Sequence, residues 1–292
     1  MTHSEHTPPL RKPKWLRRRL PSGPAYEATR SLIERGGLHT VCQEAQCPNM
    51  WECFSSHTAT FLILGDRCTR GCRFCAVGHD PQGLPDPEEP ERVAKATEEM
   101  GLRYVVVTSV TRDDLPDGGA SHFAATIHAI RTRQSKTRIE VLIPDFQGDP
   151  EALGVVLNAR PDVLNHNVET VPRLYPRVRP QAIYERSLEL LRRVSEESDI
   201  PGKSGLMLGL GETSEEIEQV LRDLRGASCA MLTLGQYLQP STRQLPVDRY
   251  ATPEEFEGWR TRALEMGFTH VASGPFVRSS YHAGDLFEKK RD

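Results

Sequence analysis

No run in this sequence is long and apolar enough to cross a membrane. The most apolar strand-like stretch, Tyr104 to Val110, falls far short of the roughly 18 residues a span needs. A large net charge is also missing. Lys and Arg number 37 against 40 Asp and Glu, a formal −3, which gives no basis for bulk attraction to nucleic acid. Cysteine is scarce, seven in 292 residues, too little for the disulfide scaffold of a small secreted domain. There is no apolar region of a signal peptide and no repeat of solenoid length. A phosphate loop is excluded as well: Gly202-Lys203-Ser204 has the right end, but Glu197 stands where the first glycine is needed.

The segment MTHSEHTPPLRKPKWLRRRLPSG is basic and almost free of acids. Its four prolines and lack of an apolar helical face count against a transit peptide. It reads as a mature basic arm around Arg11, Lys12, Lys14 and Arg17 to Arg19, either a solvated tail or a dock for an acidic partner. The expected compartment is a reducing one, most simply the cytoplasm.

From residue 60 to 240 strand patterns alternate with helix patterns. TFLILGD (60–66), RYVVVTSV (103–110), RIEVLIPD (138–145), DVLNHNVE (162–169), KSGLMLGL (203–210) and AMLTLGQYL (230–238) are short apolar runs rich in β-branched residues. Helix-like segments lie between them at 90–100, 119–134, 150–159, 181–197 and 214–226. This order predicts an α/β fold with parallel strands joined by crossovers. Six units fit either a partial barrel or an open doubly wound sheet. In both, ligands gather at the carboxyl ends of the strands. The expected division is an N-terminal extension (1–58), a βα core (59–267) and a C-terminal extension (268–292).

Six of the seven cysteines fall in two triplets: Cys42, Cys47 and Cys53 in CQEAQCPNMWEC, and Cys68, Cys72 and Cys75 in GDRCTRGCRFC. Thiolates this close repel unless a cation neutralises them, so a metal is the natural reading. Zinc closed by His79, four residues after Cys75, is one possibility. A cubane iron–sulfur centre is the other; with three cysteines, one of its irons keeps an open coordination position. Cys229 stands alone at a helix-to-strand junction and reads as a buried small apolar residue.

The spacing C-x3-C-x2-C, with Phe74 before the last cysteine, is similar to the signature of radical S-adenosylmethionine enzymes. The second triplet, C-x4-C-x5-C, narrows the match. With VTRDDLPDGGA (110–120), NHNVETV (165–171) and GPFVRSSYHA (274–283), the chain resembles the lipoyl synthase family over nearly its whole length.

The resemblance implies a partial (βα)6 TIM-like barrel whose open face is covered by the two extensions. It implies two 4Fe–4S clusters and S-adenosylmethionine. Cys68, Cys72 and Cys75 would hold the first cluster, whose open iron takes the amino and carboxylate groups of the cosubstrate. Cys42, Cys47 and Cys53 would hold an auxiliary cluster whose fourth ligand is a serine of the RSSY motif, Ser280 in preference to Ser279. The implied reaction inserts two sulfur atoms at C6 and C8 of an octanoyl group on a lipoyl carrier domain. Each insertion would use its own S-adenosylmethionine and 5′-deoxyadenosyl radical, and the auxiliary cluster would be sacrificed as sulfur source. Implied partners are a 2-oxoacid dehydrogenase E2 subunit or glycine cleavage H protein as carrier, ferredoxin or flavodoxin as electron donor, and a cluster-repair system.

Further cosubstrate-binding candidates are Phe74, Thr108, Ser109, Asn167, Glu169 and Gly209, the last in a glycine-containing strand that looks like the wall of an adenosine pocket. Asn167 and Glu169 share one alternating face, suited to ribose hydroxyls or the methionyl amine. Arg112, Asp113 and Asp114 are conspicuously charged for a strand-end loop. The alternatives are another radical sulfur-transferring enzyme of methylthiotransferase type, or a non-catalytic iron–sulfur or zinc protein.

Overall fold

The computed structural model describes residues 10–17, 23–55, 59–80, 83–281 and 283–284. Arg18, Arg19 and His282 lie outside them. The chain opens with α1 (Pro24–Arg35), then β1 (His39–Thr40), α2 (Val41–Glu44) and α3 (Met50–Ser55). Strand β2 (Thr60–Ile63) follows and leads into a small parallel pair, β3 (Arg67–Cys68) and β4 (Gly78–His79). Strands and helices then alternate: α4 (Glu89–Glu99), β5 (Tyr104–Ser109), α5 (Ala120–Arg133), β6 (Arg138–Leu142), α6 (Pro150–Asn158) and β7 (Val163–Asn165). After the short α7 (Tyr175–Val178) come α8 (Tyr184–Glu197), β8 (Gly202–Leu208), α9 (Ser214–Gly226), β9 (Met231–Gln236), α10 (Pro253–Glu265) and β10 (His270–Gly274).

Local chemistry sets these boundaries. Asp149 caps α6 through the Glu151 and Ala152 amides, with Pro150 at the first helical position. Thr213 and Glu216 close a reciprocal capping box on α9. Within β5, Val105 and Val107 face outward and are fully buried with Phe123, Ile127 and Ile130 of α5. This is the apolar layer between sheet and helices.

The main sheet runs β1-β2-β5-β6-β7-β8-β9-β10, parallel from β2 onward, with β1 antiparallel at one edge. The partial-barrel expectation holds, but the parallel strands number seven rather than six. Strand β10 and its helix α10 carry too weak a pattern to stand out: α10 buries only Phe256 and Ala263, and β10 is mostly half-buried. The sheet therefore continues past residue 267. Residues 23–55, which show little periodicity in the sequence, form three helices. Tyr26 of α1 stacks on Trp51 of α3 at 4.5 Å.

The inward faces of the strands mix apolar side chains with charged and polar ones. Lys203 of β8 donates to both Glu140 carboxylate oxygens at 2.8 and 3.0 Å, and both side chains are wholly enclosed. Tyr104 (2.7 Å) and Asn165 (3.2 Å) complete the shell around Glu140. Such a pair survives burial only because each charge is fully engaged. Lys203→Met should therefore cost about 3–5 kcal/mol of unfolding free energy by stranding Glu140. The double change to Met and Gln should recover part of that loss in equilibrium urea denaturation.

Candidate active site

The loop after β2 begins with two left-handed residues, Leu64 (φ 68°) and Gly65 (φ 92°), which turn the chain sharply off the strand end. The loop is then laced to the ends of four other strands. The Thr69 amide donates to Thr111 O after β5 at 2.9 Å, and the Arg73 amide to Val178 O after β7 at 2.9 Å. Leu245, after β9, donates to Arg73 O at 3.0 Å. Arg70 reaches Asp113 at 2.7 and 2.9 Å and Asp145, after β6, at 2.5 Å. Arg70 is only 5% exposed. Burial alone would raise the Asp145 carboxyl, but the Arg70 hydrogen bond and charge override it and hold it down at about 2.

This lacing fixes Cys68, Cys72 and Cys75 at one wall of a cavity of about 880 Å³. The Arg70 and Thr111 amides both donate to Cys68 Sγ, at 3.4 and 3.3 Å. Cys42, Cys47 and Cys53 line the same cavity. Thr40 caps α2 and sets Cys42, while the Cys47 amide donates to Cys42 O at 3.0 Å. Burial pushes the Cys75 thiol up to about 12 and raises Cys42 and Cys72. A bound cation would offset that burial and favour the thiolates.

Among the described residues, no three His, Cys, Asp or Glu side chains converge as ligands of one metal ion. His79 lines the same cavity from β4, where it is exposed. A four-iron cubane makes no such demand, because each thiolate reaches a different iron. The donor set, three soft sulfurs per triplet in a desolvated pocket, fits two clusters.

The C-terminal tail closes the cavity. Asn49 Nδ2 donates to Phe276 O at 2.6 Å, and the Tyr281 hydroxyl to Glu52 at 2.8 Å. Val277 O lies so near β9 that a Cβ on Gly235 would stand 2.1 Å from it; only glycine fits. The two serines of the tail go different ways. Ser280 Oγ accepts from Thr60 Oγ1 at 2.8 Å, and the Thr60 amide faces the Cys42 thiol. Ser279 Oγ accepts from Asn167 Nδ2 at 2.5 Å, on the side of β7.

Phe74, Thr108, Ser109, Asn167 and Glu169 all line the cavity, as their sequence positions suggest. Asn167 Nδ2 also donates to Glu169 at 3.0 Å, so this pair is brought together. Asn167 Oδ1 and Ser109 Oγ are buried without a partner, and so is Nε of Arg179. Buried polar atoms of this kind ordinarily meet a ligand or water. Burial raises the Glu169 carboxyl, against the opposing charge of Arg179.

Gly209 stands apart from these five. It is absent from the cavity lining and turns, at φ 100°, against Gln236 and the Arg249 carbonyl. The glycine that opens the cavity is Gly205, where a Cβ would lie 2.7 Å from both Asn167 Oδ1 and Thr233 Oγ1. Arg112 and Asp114 bind each other at 2.8 Å, and Asp113 serves Arg70, so the charged loop is structural. Arg70 and Arg179 escape sequence reasoning. Arg70 at least lies inside the cysteine loop, whereas nothing in the spacing marks Arg179. Cys229 is buried at 1% exposure, with its thiol against Met231 O, as expected.

The profile of the Radical SAM superfamily matches residues 62–224. A protein named "Lipoyl synthase" from Desulfotalea psychrophila is 60% identical over 95% of this chain and 93% of its own length. One of the same name from Chlorobaculum tepidum is 56% identical over 96% of this chain and 97% of its own. Among solved structures, methylornithine synthase (PylB) aligns with a TM-score of 0.55 at 14% identity, over 85% of this chain and 69% of that one. The last likeness concerns the fold alone.

One titration can be read from the cavity wall. His166 hydrogen-bonds Ile143 O and Ser187 Oγ, both at 2.9 Å. Burial first, and the Arg179 charge second, lower it from 6.5 to about 4. Its folded pKa lies below the unfolded one, so the unfolded chain gains a proton that the folded chain refuses. Stability should fall as pH drops from about 6.5 to about 4. His166→Gln should flatten that window relative to the parent, read as the urea midpoint against pH.

Proposed function

We infer the chemistry from one premise: the chain belongs to the lipoyl synthase family, within the radical S-adenosylmethionine superfamily. It is a sulfur-inserting enzyme. It places two sulfur atoms, at C6 and C8, into an octanoyl group carried by a protein, and two 4Fe–4S clusters and S-adenosylmethionine are its cofactors. When bound, these groups supply a hydrogen-abstracting radical and the sulfur itself. A methylthiotransferase or a non-catalytic metal protein finds no support beside relatives of this identity.

The residue roles rest on one observation above all: both cysteine triplets line a single cavity. Cys68, Cys72 and Cys75 hold the cluster that serves the cosubstrate; Cys42, Cys47 and Cys53, with Ser280, hold the sacrificial one. Ser280 is favoured over Ser279 because Thr60 joins it to the Cys42 side, whereas Ser279 is engaged by Asn167. Its hard oxygen is mismatched to a soft cluster and should leave more readily than a thiolate.

Asn167 Oδ1 and Glu169 offer acceptors to the ammonium or ribose hydroxyls of S-adenosylmethionine, and Ser109 Oγ offers a further donor or acceptor. Gly205 leaves the space, and Thr108 and Phe74 complete the wall. An octanoyl chain bound in this cavity would share it with both triplets. The protein substrate we propose is the lipoyl carrier domain of a 2-oxoacid dehydrogenase E2 subunit or a glycine cleavage H protein. Ferredoxin or flavodoxin supplies electrons, a separate system rebuilds the spent cluster, and a reducing cytoplasm suits both. No described helix is long and apolar enough to cross a membrane.

Anaerobically purified protein should carry about eight irons per chain, falling to about four in Cys68→Ala/Cys72→Ala/Cys75→Ala. About one zinc and little iron would refute the two-cluster assignment. Ser280→Ala should lower the iron content and abolish sulfur insertion, whereas Ser279→Ala should leave the iron count unchanged.

A further inference from the structure

Residues 10–17, LRKPKWLR, hold four cations, Arg11, Lys12, Lys14 and Arg17, and no acid. All four are exposed, and none has an acidic partner among the described residues. Elsewhere the arginines are heavily engaged: Arg133, Arg192 and Arg262 each bind two carboxylates. The segment is nevertheless pinned to the body. Leu16 is buried at 7% exposure, and the Tyr250 hydroxyl donates to Leu10 O at 3.3 Å. Lys12 stands on the wall of the cavity that both triplets line. Beside the cations, Trp15 and Leu10 remain 41% and 48% exposed.

The charge is unusual for its setting. The whole chain is −3, so with four cations and no acid in this segment the remainder carries −7. An acidic partner is repelled by the body and drawn to the arm, which fixes its approach to one side. Exposed Trp and Leu among the cations supply apolar contact for a docked surface.

We propose that this arm is the docking site for an acidic face of the octanoyl carrier domain, holding the carrier at the cavity mouth while its modified lysine reaches inside. This rests on the reading of the chain as a sulfur-inserting enzyme, and the test separates the two. Binding of an intact octanoylated carrier domain and turnover of a short octanoyl-lysine peptide would be measured for the parent and for Arg11→Gln/Lys14→Gln/Arg17→Gln.

The variant should bind the carrier about ten-fold more weakly at about 50 mM salt, as three surface pairs would give. The difference should vanish near about 0.5 M, where screening removes it. Peptide turnover should not change. Unaltered carrier binding at low salt, or an equal loss with peptide and carrier, would overturn the proposal. If the parent binds the carrier in the predicted salt-dependent way but inserts no sulfur, the arm stands and the enzymatic reading fails.

Discussion

A buried guanidinium organises this molecule. Arg70 lies between the first two cysteines of its loop, and its two acidic partners come from the loops after β5 and β6. A flexible segment carrying three thiols would otherwise spread over the rim of the sheet at large cost in conformational freedom. Held by Arg70, and by backbone bonds to the ends of β7 and β9, the loop presents its sulfurs to one interior space. The ion pair with Asp145 is almost wholly enclosed, and removing Arg70 would leave Asp145 only the longer 3.4 Å contact to Arg186 as an ion pair. The strands thus act as one frame whose loop ends grip the cysteines from several directions.

The other wall is built differently. Cys42 and Cys53 lie on the short helices α2 and α3 before β2, with Cys47 in the turn between them, and they owe their setting to aromatic stacking and to the tail after β10. The tail carries two adjacent serines that turn to opposite sides, one toward Thr60 and one toward Asn167. Both walls have unmet hydrogen-bonding capacity facing inward, in Asn49 and Asn167. Rigid surroundings with open polar atoms are the usual mark of a preorganised pocket.

Much of this was legible in the sequence because the strong signals are local. The Val105–Val107 run and the two cysteine spacings each rest on a few neighbouring residues. What stayed hidden depends on contacts across the chain. Strand β10 is an edge strand with little apolar patterning, so only its pairing with β9 reveals it. Gly209 and Gly205 look alike in sequence, and only the approach of Asn167 and Thr233 tells which one makes space. Ser279 and Ser280 are neighbours in sequence, and their different settings come from partners more than a hundred residues distant. Arg70 reads as one more surface charge until Asp113 and Asp145 are folded around it.

The cavity wall that joins residues 42–53 to residues 276–281 has a consequence for biosynthesis. Asn49 meets Phe276, Glu52 meets Tyr281, and Thr60 meets Ser280, each across more than two hundred residues. The contacts that hold the Arg70 loop come from residues no later than Leu245, so they are synthesised before the tail. The pocket of the N-terminal triplet acquires its last wall only after synthesis has passed Tyr281. A chain lacking residues 276–281 would therefore have one wall finished and the other still open to water.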